Sequence, residues 1–152
     1  MRQGGPLAPL AMWPGPCIFL VKDYPMNMEI AMDHDSASPR RVLIVEDEVL
    51  IALMLQDMLA DAGLQVEAVA NSLDTGIDLA RNAAVDLAVL DINLNGEDVY
   101  PIAEILRGRG IPFIFSTGYG AGGVRPEFDA APRVVKPFQQ DLLVAALRQL
   151  VK

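Results

Sequence analysis

Two hydrophobic periods alternate along the chain. Short continuous apolar runs are separated by longer stretches in which apolar residues return every third or fourth position. The first kind reads as a strand buried on both faces, the second as an amphipathic helix. Arg41–Val45 opens the series as a buried strand and runs into three acids, Glu46, Asp47 and Glu48. The next stretch predicts a helix to about Ala62, closed by Gly63, with Ile51, Leu55, Met58 and Ala62 on its core face. Leu50, Leu53 and Met54 give it more apolar surface than one core contact needs. Gln65–Ala70 partly alternates, as a less buried edge strand does. Ser72 is a candidate N-cap for a helix carrying Leu73, Ile77, Ala80 and Ala84 on one face.

The run Val85–Asp91 is the centre of the pattern. It is rich in Val and Leu, ends in a single acid, and is broken by Asn93, Asn95 and Gly96. Such a run looks like a central parallel strand. Val99, Ile102, Ala103 and Leu106 then mark a helix, ended by Gly108 and Gly110. Ile111–Phe115 is the fourth strand and delivers Ser116 and Thr117. Residues 118–132 oppose a regular helix, with Gly118, Gly120, Gly122, Gly123, Pro126 and Pro132. Arg133–Val135 is a short fifth strand before Lys136-Pro137. A last helix from about Gln139 carries Leu143, Ala146, Leu147 and Leu150. Strand and helix thus alternate five times with a degraded fourth helix, which predicts a parallel α/β sandwich.

Composition narrows the partners. The 152 residues are 52% hydrophobic and 21% charged, a globular balance with room for one real core. A net charge of −8 without a basic patch argues against nucleic acid. No apolar stretch is long enough for a membrane span. The single Cys17 makes no internal disulfide and fits a cytoplasmic protein. Residues 1–38 stand apart: Pro6, Pro9, Pro14, Pro16 and Pro25 punctuate them and interrupt what would be an export signal. They are expected to be a disordered tail, or upstream of a true start at Met26, Met28 or Met32, with the folded domain spanning 39–152.

Chemistry in such sheets gathers at the carboxyl ends of the strands, around the switch point between the first and third. That places Glu46 and Asp47 beside Asp91, with Thr117 and Lys136 arriving from the next two strand ends. Converging carboxylates repel one another, and a divalent cation is the usual remedy. All-oxygen ligands suit Mg2+, which also takes phosphoryl oxygens. Carboxylate, metal, ammonium and hydroxyl together suit transfer of a phosphoryl group onto Asp91.

Val42-Leu43-Ile44-Val45-Glu46-Asp47-Glu48, the Asp91 strand, Thr117 and Lys136-Pro137-Phe138 stand in order and resemble the receiver domain of bacterial two-component response regulators. The resemblance covers roughly residues 40–152. It implies a flavodoxin-like, doubly wound, five-stranded parallel sheet of order 2-1-3-4-5. It further implies that Asp91 is the phosphoacceptor and that Glu46, Asp47, Asp91 and the carbonyl of Asn93 hold Mg2+ or its waters. Thr117 becomes the switch hydroxyl, Lys136 pairs with the phosphoryl group, and the Lys136–Pro137 bond is cis. Phe115-Ser116-Thr117-Gly118-Tyr119 is similar to the FATGUY subgroup, which makes Tyr119 the aromatic switch residue, with Val134 on the fifth strand where other receivers carry an aromatic.

Each motif has a plainer reading alone. The acids 46–48 suit any helix N-terminus, Asp91 a turn, and Lys136 a solvated end. Gly118, Gly120 and Gly123 match a dinucleotide fingerprint, but no helix opens after them. His34 lies in the tail and is no phosphotransfer histidine. The joint pattern predicts a single-domain receiver that takes a phosphoryl group from a sensor histidine kinase or histidine phosphotransfer protein. It would signal by protein–protein contact or onward transfer, catalysing only its own phosphorylation and hydrolysis. The alternative is a phosphorylation-independent adaptor. An aspartate-nucleophile phosphatase would need a second Asp where Asn93 stands.

Overall fold

The computed structural model describes residues 38–118 and 123–151. The expectations for residues 1–37 of the tail and for Tyr119 fall outside these residues. The chain divides into two units, and the one described here is Pro39–Lys152. Its elements in chain order are β1 (Arg41–Val45), α1 (Val49–Asp61), β2 (Gln65–Ala70), α2 (Leu73–Asn82) and β3 (Leu87–Asp91). A small hairpin follows, β4 (Asn93–Leu94) and β5 (Glu97–Asp98), then α3 (Tyr100–Gly108) and β6 (Phe113–Thr117). A single 3-10 turn at Pro126–Phe128, β7 (Arg133–Val135) and α4 (Gln140–Leu150) complete the unit.

The main sheet has the order β2-β1-β3-β6-β7 with every pair parallel. Counting its five strands in sequence, this is the 2-1-3-4-5 order of the flavodoxin-like fold. Strand side chains alternate between two cores. Leu43, Val45, Ala88, Leu90, Phe113 and Phe115 face α2 and α3. Val42, Ile44, Leu87, Val89 and Ile114 face Leu55 and Leu59 of α1 and Leu143 and Leu147 of α4. β1 and β3 are therefore apolar at successive positions because both faces are covered. β6 begins two residues later than the apolar run suggests, since Ile111 still donates back to the Leu106 carbonyl at the end of α3.

Two helices differ from their sequence pattern. In α1 the buried residues are Ala52, Leu55 and Leu59, with Ile51 and Met58 only partly covered. Apolar residues occur nearly all round this helix, so the period alone does not select its core face. Val49, Leu50 and Leu53 are left exposed. In α2 the Ser72 cap forms, its Oγ accepting from the Thr75 N–H at 3.2 Å. The helix ends at Asn82 because Ala83 turns extended (ψ 147°), which lifts Ala84 out to solvent. Gly76 lets α2 approach α3: a Cβ there would collide with Cδ1 of Ile102.

Among the described residues of 118–132 the only helical turn is Pro126–Phe128. The turn inserts Phe128 where a regular helix would have packed. Phe128 is 3% exposed and lies 5.4 Å from Tyr100, 5.9 Å from Phe115 and 6.1 Å from Phe113 between ring centroids. The Arg107 guanidinium lies 4.3 Å from its ring centroid. One aromatic side chain thus closes a core face that a whole helix usually covers. Phe128→Ala should lower unfolding stability by about 3 kcal/mol through loss of these contacts. Chemical denaturation read by circular dichroism would check this, and a loss no larger than that of a surface substitution would show that the turn is not a structural plug.

Candidate functional site

The site forms where the sheet delivers side chains beyond its last ladder bonds. The Glu46 N–H donates to the Ala70 carbonyl at 2.9 Å, which holds Glu46 as the continuation of β1. Asp91 is the last residue of β3, in register with Ser116 of β6. The Lys136 N–H donates to the Thr117 carbonyl at 2.8 Å, which fixes the start of the Lys136 side chain beside β6. The Lys136–Pro137 peptide is cis, as the resemblance implied. Alternation turns Glu46, Asp91 and Lys136 toward the same side of the sheet.

Lys136 joins the acids. Its Nζ lies 2.9 Å from Glu46 Oε2 and donates to Asp91 Oδ2 at 3.0 Å. Glu46 Oε1 accepts the Glu48 N–H at 3.1 Å, and Asp91 Oδ1 accepts the Asn93 N–H at 3.2 Å. Glu46 is 1% exposed, and apart from the Lys136 ion pair its Oε2 has no hydrogen-bond donor among the described residues. Burial pushes the Glu46 carboxyl up to about 7, with the neighbouring Asp91 charge adding to the rise; the Lys136 ammonium and the Glu48 amide only partly offset it. For Lys136, burial works downward, but the bonds to Glu46 and Asp91 together outweigh it and the pKa is raised.

Asp47 is held differently. Its Oδ2 accepts the N–H of Asn95 at 2.9 Å. Asn95 (φ 54°) and Gly96 (φ 89°) both take positive φ and form the two-residue turn joining β4 to β5. An Asn-Gly pair is the strongest short hairpin signal, and it would have revealed this element in the sequence. In the hydrophobic pattern both residues register only as breakers. Asn93 Oδ1 accepts the Gly96 N–H at 2.7 Å and stiffens the same turn.

One carboxylate oxygen each from Glu46, Asp47 and Asp91 can be chosen so that all three lie within 4.8 Å of one another. Three acids facing one ammonium leave excess negative charge, and one buried carboxylate oxygen meets no neutral donor. A hard divalent cation fits such an all-oxygen set. The cleft beside them has a volume of about 480 Å³ and is lined by Asp47, Asp91, Asn93, Thr117, Gly123 and Lys136 among others. Of the expected site residues, Glu46, Asp47, Asp91, Asn93, Thr117 and Lys136 all meet here. Two further residues stand beside the site without a signal in the spacing: Ser116, in register with Asp91, whose buried hydroxyl has no partner among the described residues, and Tyr100, which bonds Gly123 of the cleft wall from α3.

A family model of the response regulator receiver domain matches residues 42–148. The chain belongs to the response regulator receiver family. Among solved structures, this receiver is similar to SdrG from Sphingomonas melonis Fr1, with 36% identity and a TM-score of 0.69 over 76% of this chain and 99% of that one. The BeF3-activated conformation of SdrG matches with a TM-score of 0.65 at the same identity, over 76% of this chain and 100% of that one. Among curated relatives, the transcriptional regulatory protein PdtaR of Mycobacterium tuberculosis is 31% identical over 78% of this chain and 60% of its own length. The probable transcriptional regulatory protein SilR of Salmonella typhimurium is 36% identical over 74% and 51%. The receiver therefore spans about half the length of these curated relatives. Among the described residues no helix is long and apolar enough to cross a membrane.

The raised Glu46 pKa has a definite sign in stability. Glu46 ionises near 4.5 when unfolded and near 7 when folded, so between these values the native state binds more protons. Its contribution is complete below pH 4.5 and is lost as pH rises through 7. Protein stripped of divalent cations should lose on the order of 2 kcal/mol of stability across that window. Glu46→Gln should flatten the loss. Thermal melts at stepped pH would show it, and a wild-type profile as flat as the variant's would contradict the burial of this charge.

Proposed function

We propose that this receiver is a phosphoacceptor: Asp91 takes a phosphoryl group from a phosphohistidine on a sensor histidine kinase or histidine phosphotransfer protein, in a Mg2+-dependent step. The carrying observation is the Asp91 carboxylate, buried at the end of the central strand between the Lys136 ammonium and an acidic cluster. An Asp91 oxygen attacks phosphorus, the phosphorus–nitrogen bond of the donor breaks, and the histidine leaves neutral once it is protonated.

Lys136 already touches the carboxylate, so it sits ready to pair with the negative charge that arrives. The three carboxylates Glu46, Asp47 and Asp91, with the Asn93 carbonyl, would hold Mg2+. When bound, it would neutralise charge on the transferring phosphoryl oxygens. Thr117 closes the cleft from β6 and supplies a hydroxyl toward the modified Asp91. The exposed Val49, Leu50 and Leu53 on α1 border the acids and offer an apolar face for the donor protein. The modified domain then signals by contact with a downstream protein or by passing the group on. The similarity to SdrG, whose BeF3-activated form is known, supports this reading, since BeF3 mimics a phosphoryl group on a carboxylate.

Incubation with Mg2+ and a small phosphodonor, followed by intact-mass measurement, should show one phosphoryl group on the wild type and none on Asp91→Ala. A mass gain that persists in the variant would move the acceptor elsewhere. Mg2+ should also raise the melting temperature of the wild type by mass action, and much less that of Asp47→Ala. Equal stabilisation of both would remove Asp47 from the metal site.

A further inference from the structure

Tyr100 is the first residue of α3 and is only 2% exposed, yet its hydroxyl makes two hydrogen bonds to a distant segment. It donates to the Gly123 carbonyl at 2.9 Å and accepts the Arg125 N–H at 3.1 Å. The ring stacks on Phe128, meets Phe115 edge-on at 6.0 Å, and lies 4.4 Å from the Arg125 guanidinium. Gly123, with φ +96°, lines the same cleft as Asp47, Asp91 and Lys136. Gly123 and Val124 make no backbone–backbone hydrogen bond to other described residues. The Tyr100 hydroxyl thus substitutes for the ladder bonds that a regular element would supply here.

We propose that Tyr100 is a positioning residue for the modified site: by fixing Gly123 and Arg125 to α3 it sets the cleft wall that limits water at the Asp91 phosphoryl group. The proposal rests on the phosphoacceptor reading. In the hydrolysis it restrains, a water oxygen attacks phosphorus and the bond from phosphorus to the Asp91 oxygen breaks. Inorganic phosphate leaves with the water's oxygen, its proton passes to solvent, and Asp91 returns to a carboxylate. Loss of the clamp loosens the wall and admits water, while the acids of the cleft are untouched.

Tyr100→Phe keeps the ring and removes both bonds. With Mg2+ and a small phosphodonor, the half-life of its phosphorylated form should fall about three- to tenfold, the worth of one or two ordinary hydrogen bonds. Its Mg2+ affinity should stay at the wild-type value. The Arg125 amide, deprived of its acceptor, should exchange faster with solvent in the unmodified protein. Phe128→Leu disturbs the same aromatic cluster but leaves the hydroxyl in place, so it should lower the melting temperature without shortening the half-life. An unchanged half-life or Arg125 exchange rate in Tyr100→Phe overturns the proposal alone, as does equal shortening in Phe128→Leu. A wild type that gains no phosphoryl mass overturns the phosphoacceptor reading and this proposal with it.

Discussion

The ammonium of Lys136 is the contact on which the site depends. It reaches from the end of β7 past β6 to Asp91 and Glu46, so one cation ties three strand ends together. Two buried carboxylates without it would face each other across a few ångströms of poorly solvated space, and at least one would have to take a proton. Even with it, burial keeps the Glu46 carboxyl far above an ordinary glutamate. The fold therefore holds a charge imbalance in place, with the apolar runs of β1 and β3 supplying the packing that offsets its cost.

The Gly123 wall of the cleft is built on another basis. Its acidic side hangs from sheet ladders and from the β4–β5 turn, while Gly123 hangs from one phenol. Phe128, packed on Tyr100 of α3 and on Phe113 and Phe115 of β6, covers this face with one side chain. Such a wall is fixed by few bonds, so its free energy of local opening is small compared with that of the sheet. The cleft therefore has one side fixed by sheet ladders and another fixed by a side-chain hydroxyl.

Most of the fold was legible because central parallel strands read as unbroken apolar runs and their last residues are polar. Glu46, Asp91, Thr117 and Lys136 each stand just past such a run, which is why the sequence already suggested a common cleft. The face of α1 was not legible, because apolar residues nearly encircle it and only tertiary packing picks Ala52, Leu55 and Leu59. The bond from Asn95 to Asp47 and the clamp from Tyr100 to Gly123 were not legible either. Their partners lie 48 and 23 positions apart, and neither residue belongs to a periodic pattern. Local rules describe elements; contacts across such spans come only from the assembled topology.

The meeting of Gly76 and Ile102 joins two positions into one packing unit. A methyl group at position 76 would meet the tip of the Ile102 side chain, so the two positions share one volume between α2 and α3. Enlarging one member overpacks a core that does not yield readily. Growth on α2 is met either by a turn of the Ile102 tip or by shrinkage on α3. Variation at one of the two positions is therefore felt at the other, and the side chain at 102 sets how close α2 can lie to α3.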